Sequence, residues 1–176
     1  MLAAAQTGAG WALERFWRSY AGAVTGYLRL QGVAEPEDLT SEVFIGAFRS
    51  IGRFAGGEAA FRSWLFTIAH RKVIDARRAA GRRAAVTELD DAAAQPISAA
   101  RPDDEVLRQL ATERVKALCE RLVADQRDVL LLRLVGGFTV DEVAAAIDKS
   151  PRAVKALQRR GLVALRKILE REGVPL

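Results

Sequence analysis

The chain has 176 residues, half of them hydrophobic, and its 27 lysines and arginines outweigh 22 acidic residues for a formal charge of +5. This length accommodates one domain or two small ones with a packed core. No apolar run reaches the roughly 20 residues that span a bilayer, and the first residues lack the basic segment of a secretory signal, so a cytoplasmic protein is expected. The single Cys119 excludes an intramolecular disulfide and a multi-cysteine metal site, and is expected to be a small core residue.

Helical periodicity recurs along the chain and no alternating strand pattern of useful length is present, which predicts an all-α fold. The first predicted helix covers residues 11–30, the second runs from Pro36 to about 53, and the third from about 59 to 80. A glycine-containing loop, Arg53-Phe-Ala-Gly-Gly-Glu58, separates the second helix from the third. These three helices are predicted to form a first domain over residues 10–85.

The helical periodicity of apolar residues is absent between residues 86 and 103, where the chain has prolines, alanines and mostly acidic charged residues instead. Such a composition predicts a flexible acidic linker rather than a helix. Helices are predicted again over residues 105–123 and 126–135, within a second domain at 104–171. The expected architecture is two small helical domains joined by this linker, with a helix-turn-helix in the C-terminal one.

The helix-turn-helix is predicted from the residues that end one helix and begin the next. The Gly136–Gly137 pair ends an apolar helix, since glycine tolerates the left-handed conformation of a C-cap. Thr139 and Glu142 have the spacing of a capping box, and Ser150-Pro151 supplies a hydroxyl N-cap followed by a proline at the first helical position. Two helices joined by a short turn, the second of them basic, are typical of proteins that place a recognition helix in the DNA major groove.

The last predicted helix divides into an apolar arc and a basic arc. At 100° per residue, one side carries Val154, Leu157, Gly161, Leu165 and Ile168, and is expected to pack against the preceding helices. The opposite side carries the basic residues Arg152, Lys155, Arg159, Arg160, Arg166 and Lys167. A solvated charged face is the alternative interpretation, but such faces usually mix both signs. The exclusively basic arc favours DNA contact.

Basic residues concentrate in two segments of the chain. Residues 71–83 hold six basic residues and one acid, and residues 149–167 hold seven basic residues and no acid. The rest of the chain is acidic overall, so the two segments predict two separate sites for a polyanion. A membrane surface is the competing partner for a basic helix, but the Trp/Phe face that membrane-lying helices use is missing here.

Five sequence motifs, in order, resemble those of the extracytoplasmic-function group of bacterial sigma factors, the two-domain members of the sigma-70 family. The first three are Asp38-Leu-Thr-Ser-Glu-Val-Phe, Phe48-Arg-Ser-Ile-Gly-Arg-Phe and Phe61-Arg-Ser-Trp-Leu-Phe-Thr-Ile-Ala. The others are Val73-Ile-Asp-Ala-Arg-Arg and Gln126-Arg-Asp-Val-Leu-Leu-Leu-Arg with the helix-turn-helix after it. The resemblance covers nearly the whole chain. It implies a specificity subunit that directs core RNA polymerase to promoters.

The resemblance implies that the second helix docks on the clamp helices of the largest polymerase subunit, with the flap as a further contact. The residues assigned to polymerase binding are Asp38, Leu39, Glu42, Ile45 and Arg49. Four of them share one exposed helical face, for which a plain solvated surface is the alternative interpretation. An anti-sigma factor is a further implied partner.

The resemblance also assigns the two DNA-reading elements. The glycine loop and the third helix match the segment that recognises the −10 element as melted single strand. Its candidate residues are Gly56, Gly57, Glu58, Arg62, Trp64, His70, Arg71, Lys72, Arg77 and Arg78. The last helix matches the segment that reads the −35 element as duplex. Its candidate residues are Ser150, Arg152, Lys155, Arg159, Arg160 and Arg166.

Two positions depart from the family pattern. Trp64-Leu65 stands where housekeeping relatives carry two adjacent tryptophans that wedge the duplex open, which implies weaker promoter melting. Arg71 stands where many members of the group carry an asparagine, which implies a phosphate contact rather than a base contact. For Trp64 the helical spacing is more typical of a place in the core than of a stacking surface for bases.

Other classes of protein remain as alternatives. A stand-alone helix-turn-helix regulator would bind duplex DNA without polymerase and show no preference for single strands. An enzyme is disfavoured because the only histidine, His70, has no metal-ligand spacing or nucleotide-binding glycine loop near it. A purely protein-binding helical adapter leaves both basic segments unexplained. No cofactor, metal or catalytic residue is expected.

Overall fold

The computed structural model describes residues 1–86 and 103–173, and within these ranges all regular secondary structure is helical. The α-helices are α1 Leu2–Gln6, α2 Gly10–Leu30, α3 Pro36–Ser50, α4 Glu58–Val86, α5 Asp103–Glu120, α6 Ala124–Leu134, α7 Val140–Ala146 and α8 Pro151–Arg171. A 3₁₀ turn, Ile51–Arg53, follows α3. The all-α prediction is confirmed, while the predicted linker lies almost wholly outside the described residues.

Two helix boundaries differ from the sequence prediction. Helix α1 has no counterpart in it, because five residues are too few to show a helical period. Helix α4 continues to Val86 rather than ending near residue 80. The apolar stripe stops there, but the alanines and arginines that follow are strong helix formers, so the helix extends beyond its packed portion.

The core of the N-terminal half lies between α2, α3 and α4. The rings of Phe16 on α2 and Phe61 on α4 have centroids 4.1 Å apart, and Tyr27 meets Phe66 edge to face at 5.4 Å. All four side chains are almost completely buried. Aromatic pairs of this kind bury large apolar areas, so they fix how α4 crosses α2.

The helix-turn-helix is capped as its sequence predicts. Thr139 Oγ1 accepts from the Glu142 N–H while the Glu142 carboxylate accepts from the Thr139 N–H, which is a capping box at the start of α7. Ser150 Oγ accepts from the Ala153 N–H at the start of α8. Gly137 has φ +74°, the left-handed conformation that ends the turn after α6.

Helix α8 packs against α6 at a point where only glycine fits. A Cβ built on Gly161 would lie 2.9 Å from Leu130 Cδ1 and 3.3 Å from Gln126 Cβ. Val154 and Ile168 are buried on the same side of α8. The predicted apolar arc is therefore confirmed as the face that holds α8 in place, and Cys119 is buried in the core as expected.

Candidate nucleic-acid interfaces

The outer face of α8 is a continuous surface of cations. Arg152, Lys155 and Arg159 are exposed, and they form no hydrogen bond or ion pair with any residue in the described ranges. Arg166 pairs with Glu170 on the same helix at 2.8 Å, and Arg160 Nε donates to the Ala156 carbonyl at 3.4 Å. The three unpaired cations lie in the first half of α8, the part of a recognition helix that reaches base edges.

The glycine loop before α4 is an exposed surface. Gly56, Gly57 and Glu58 are all accessible, and a Cβ placed on Gly57 would meet no atom within 4 Å. A base could therefore approach the backbone of this loop closely. Of the basic residues that follow on α4, Arg71 and Arg78 are exposed and have no partner among the described residues. Lys72 is held by Glu42 of α3 at 2.8 Å.

Arg62 contacts the other half of the protein. Its Nε donates to the Gly136 carbonyl at 3.0 Å and its Nη2 to the Val135 carbonyl at 2.5 Å. The guanidinium also lies over the ring of Phe66, 5.4 Å from its centroid. The side chain predicted to touch the −10 strand thus ties α4 to the turn of the helix-turn-helix, and it is not free for phosphate in this arrangement.

Arg77 makes a second connection between the halves. Its Nη1 donates to Asp128 Oδ2 at 3.1 Å and its Nη2 to Gln31 Oε1 at 2.6 Å, so one guanidinium joins α4, α6 and the end of α2. Gln31 and Asp128 are buried. A buried carboxylate needs such a partner because removing it from water is costly.

His70 lies inside the protein, with only 3% of its surface exposed. Its Nδ1 is 2.9 Å from the Tyr27 hydroxyl, which also accepts from Gln31 Nε2 at 3.0 Å. Burial lowers the pKa of His70; the nearby Asp128 opposes this shift and Arg77 adds to it. Burial raises the pKa of Tyr27 beyond its usual range, so the phenol keeps its proton and can donate it to Nδ1. A phosphate contact by His70 finds no support in this structure.

Trp64 and Leu65 have separate environments. Leu65 is fully buried, so it cannot act as a wedge between bases. Trp64 is half-buried, with its ring centroid 4.8 Å from that of Phe54 and 5.5 Å from that of Phe61. Part of the indole therefore belongs to the core and part remains accessible beside the glycine loop.

The predicted polymerase-binding face of α3 has the exposure that its spacing implies. Asp38, Glu42, Ile45 and Arg49 are exposed, and Leu39 is half-buried. Ile45 leaves 50% of its surface in water, so an accessible apolar side chain lies among the charges of this face. A mixed apolar and charged stripe of this kind suits contact with another protein.

The connection between the halves uses three residues to which the sequence analysis assigns no functional role. Tyr27, Gln31 and Asp128 form it together with His70 and Arg77. In the sequence, only Asp128 gives a sign of this connection. It is a charged residue beside the apolar run 129–132, and the residues one turn away from it on α6 include no lysine or arginine that could pair with it. Within the described ranges, no group of acidic, histidine and cysteine side chains forms a metal site, and no helix is long and apolar enough to cross a membrane.

Comparison with known proteins identifies both halves of the chain. Residues 15–83 match the family described as sigma-70 region 2, and residues 112–165 match sigma-70 region 4. The chain is 34% identical over 167 residues to the ECF RNA polymerase sigma factor BldN of Streptomyces coelicolor, covering 94% of this chain and 63% of BldN. It is 32% identical over 136 residues to the ECF RNA polymerase sigma factor ShbA of Streptomyces griseus, covering 76% and 71% respectively.

The fold is also found among solved sigma factor structures. The sigma factor RpoE from Bartonella quintana, in its complex with the anti-sigma factor NepR, has a TM-score of 0.66 at 22% identity, covering 89% of this chain and 96% of RpoE. The chain belongs to the extracytoplasmic-function group of the sigma-70 family. The resemblance that its motifs indicated is confirmed.

Proposed function

We propose that this sigma factor binds core RNA polymerase and directs it to promoters that carry two elements. Helix α8 reads the −35 element as duplex, while the glycine loop and α4 read the −10 element as melted single strand. The observation that carries the proposal is the row of exposed, unpaired cations at the start of α8. The protein acts in the cytoplasm as an initiation factor and has no catalysis of its own.

Base readout at −35 is assigned to Arg152, Lys155 and Arg159. Their position near the N-terminus of a recognition helix allows guanidinium and ammonium groups to reach purine acceptors in the major groove. Arg160 and Arg166 lie on the flank of this surface and hold the helix on the backbone. The N-terminus of α8 at Ser150 offers backbone N–H groups to a phosphate.

Capture of the −10 strand is assigned to the glycine loop together with Arg71 and Arg78. An exposed Gly56–Gly57 backbone admits an unstacked base, and the two exposed cations neutralise phosphates along α4. Arg62 and Arg77 can join them only after their contacts with the C-terminal half are released. Promoter binding therefore includes separation of region 2 from region 4.

Polymerase binding is assigned to the exposed stripe on α3. Asp38, Glu42 and Arg49 provide charges around the exposed Ile45, which is the mixture that a partner helix requires. A second surface is the apolar groove of about 250 Å³ in the C-terminal half, lined by Leu118, Leu122, Leu134 and Leu165 among others. We assign this groove to the polymerase flap.

An anti-sigma factor is the proposed regulator of this chain. RpoE of Bartonella quintana was solved with the anti-sigma factor NepR, and its fold resembles the present one. A partner that covers both the α3 stripe and the C-terminal groove prevents both polymerase contacts at once. The proposed working units are residues 10–85 and 104–171, with residues 86–103 as the tether between them.

The test is transcription in vitro from fragmented genomic DNA, with core polymerase alone and with the protein added. Mapping the 5′ ends of the RNA is expected to show new starts that share two upstream boxes. Asp38→Arg should abolish these starts while leaving the helical content and thermal midpoint unchanged. Duplex binding without new starts would instead identify a stand-alone helix-turn-helix regulator.

A further inference from the structure

We infer that helix α1 is a brace for the −10-reading loop, and that Gln6 is a positioning residue for base selection at that element. The inference rests on the proposed function of the loop and adds a residue outside it. Helix α1 lies far from the loop in sequence, but the fold places it against both ends of residues 55–57.

Gln6 holds the start of the loop. Its side-chain Nε2 donates to the Phe54 carbonyl at 2.9 Å and lies 3.4 Å from the Ile51 carbonyl. The same turn is closed by the Phe54 N–H donating to the Ile51 carbonyl at 3.1 Å. One amide group therefore contacts the first carbonyl of the 3₁₀ turn and the carbonyl of Phe54, the residue that follows the turn and precedes the loop.

Glu58 holds the end of the loop against the start of α1. Its Oε1 accepts from the backbone N–H of Leu2 at 3.2 Å and lies 3.2 Å from the amino group of Met1. These two donors lower the pKa of Glu58, the amino group having the larger effect. The loop is consequently attached to α1 at Phe54 and at Glu58, on either side of the glycines.

The brace is itself fixed to the core. Leu2 and Ala5 of α1 are buried, and the Ala9 N–H donates to the Ala4 carbonyl at 2.9 Å, which sets the turn into α2. In contrast, Ala55, Gly56 and Gly57 are exposed. Ordering a residue costs about 1–2 kcal/mol of backbone entropy, so a loop whose three residues are exposed gains from being held at its ends.

A pre-ordered loop binds a flipped base with less loss of entropy and offers it one backbone geometry. Loss of the Gln6 amide should widen the range of loop conformations and so weaken discrimination between bases. Reading of the −35 duplex by α8 should not change, because among the described residues no hydrogen bond or ion pair joins α8 to α1. A change in base discrimination at −10 without a change in −35 reading distinguishes a positioning role of Gln6 from a general loss of protein stability.

The experiment uses the full chain with core polymerase on a promoter fragment recovered by the transcription mapping. Open-complex formation is measured on the matched −10 element and on single-base variants of it. Gln6→Ala, and the isosteric Gln6→Glu, which cannot donate, should each reduce the matched-to-mismatched ratio about three- to tenfold. Thr7→Ala is the matched control, since its hydroxyl bonds only to the Ala4 carbonyl within α1.

A second variant tests the loop directly. Gly57→Asp places a negative charge at an open position and should abolish capture of the −10 strand without strain in the fold. If Gly57→Asp has this effect while both Gln6 variants keep full discrimination, the brace is refuted and the loop assignment stands. If Gly57→Asp leaves −10 selection unchanged, the loop does not read bases, and the proposed function of this segment fails with it.

Discussion

The guanidinium of Arg77 lies 3.1 Å from both carboxylate oxygens of Asp128, and this ion pair joins α4 of region 2 to α6 of region 4. The Asp128 side chain is 7% exposed and that of Arg77 is 27% exposed. The pair is therefore well shielded from water and is stronger than a surface salt bridge. While it is formed, the guanidinium faces a carboxylate instead of a phosphate.

Asp128→Asn should raise the affinity of the free protein for single-stranded −10 DNA. The substitution keeps the size of the side chain but removes the charge that holds Arg77, and a hydrogen bond to a charged group contributes about 1.5–3 kcal/mol. An increase in affinity on the order of tenfold is expected, measured by fluorescence anisotropy of a labelled strand at fixed salt.

Asp125→Asn is the matched control for this measurement. It removes the same charge from the same helix, but the partner of Asp125 is Lys149 of region 4 at 3.0 Å. The control should leave single-strand affinity nearly unchanged. Equal gains for the two variants would show that only net charge matters and that the Arg77–Asp128 pair does not restrict DNA binding.

Stability should fall with acidification in a way that depends on His70. The folded pKa of His70 lies below its usual value of about 6.5, so the unfolded chain binds more protons as the pH drops through that value. The contribution of neutral His70 is fully present above about pH 6.5 and is lost as the pH falls towards the lowered pKa. Because the chain has one histidine, few other groups titrate in this window.

Thermal midpoints at about pH 7.5, 6.5 and 5.5 provide the measurement. The natural chain should lose stability between the last two values, and His70→Gln should show a flatter profile. An identical slope in both proteins would assign the acid sensitivity to carboxylates. The wild-type midpoint must also be lower at the most acidic pH for the assignment to hold.

Gly161→Val should destabilise the C-terminal half by about 1–3 kcal/mol, the usual cost of overpacking a core. The added atoms collide with Leu130 and Gln126 of α6, so α8 must move outward. Gly81→Val is the control, because the space beside that helical glycine is open and valine has the higher helix propensity. Urea unfolding of both variants would show a loss at position 161 and none at position 81.

Arg152→Ala and Lys155→Ala should relax the sequence preference at the −35 element. A side chain that reads a base edge contributes about 1–3 kcal/mol of discrimination, whereas a phosphate contact weakens all sequences alike. Arg160→Ala is therefore expected to lower affinity evenly. Competition binding with a set of single-base −35 variants distinguishes the two patterns, and an even loss for Arg152→Ala would place that side chain on the backbone.

Local features of the fold could be predicted from the sequence, but contacts between distant residues could not. The Thr139 capping box, the Ser150 cap and the inward face of α8 depend on neighbours within one or two turns, and all three are confirmed. The burial of His70 depends on Tyr27, which is 43 residues away in the chain. No short motif encodes such a pairing, so a basic helix was expected to present His70 to solvent.

The contacts of Arg62 could not be predicted from the sequence for the same reason, since they also join residues far apart in the chain. An arginine in a basic segment predicts a phosphate contact, because both groups are charged and complementary. Its actual acceptors are the carbonyls of Val135 and Gly136, and a carbonyl has no signature in the sequence. Trp64, divided between core and surface, satisfies each of the two sequence interpretations in part.

The acceptors of Arg62 are main-chain oxygens, which matters for hybrid proteins that join region 2 of this chain to region 4 of another sigma factor. Every amino acid supplies a carbonyl, so an exchanged helix-turn-helix that keeps the turn geometry after α6 retains this attachment whatever side chains it carries. Asp128 is different, because a hybrid whose region 4 lacks an acid there loses the second attachment. A hybrid of region 2 of this chain with a foreign region 4 should therefore keep the Arg62 contact and the apolar packing between the halves, but lose the ion pair that holds Arg77.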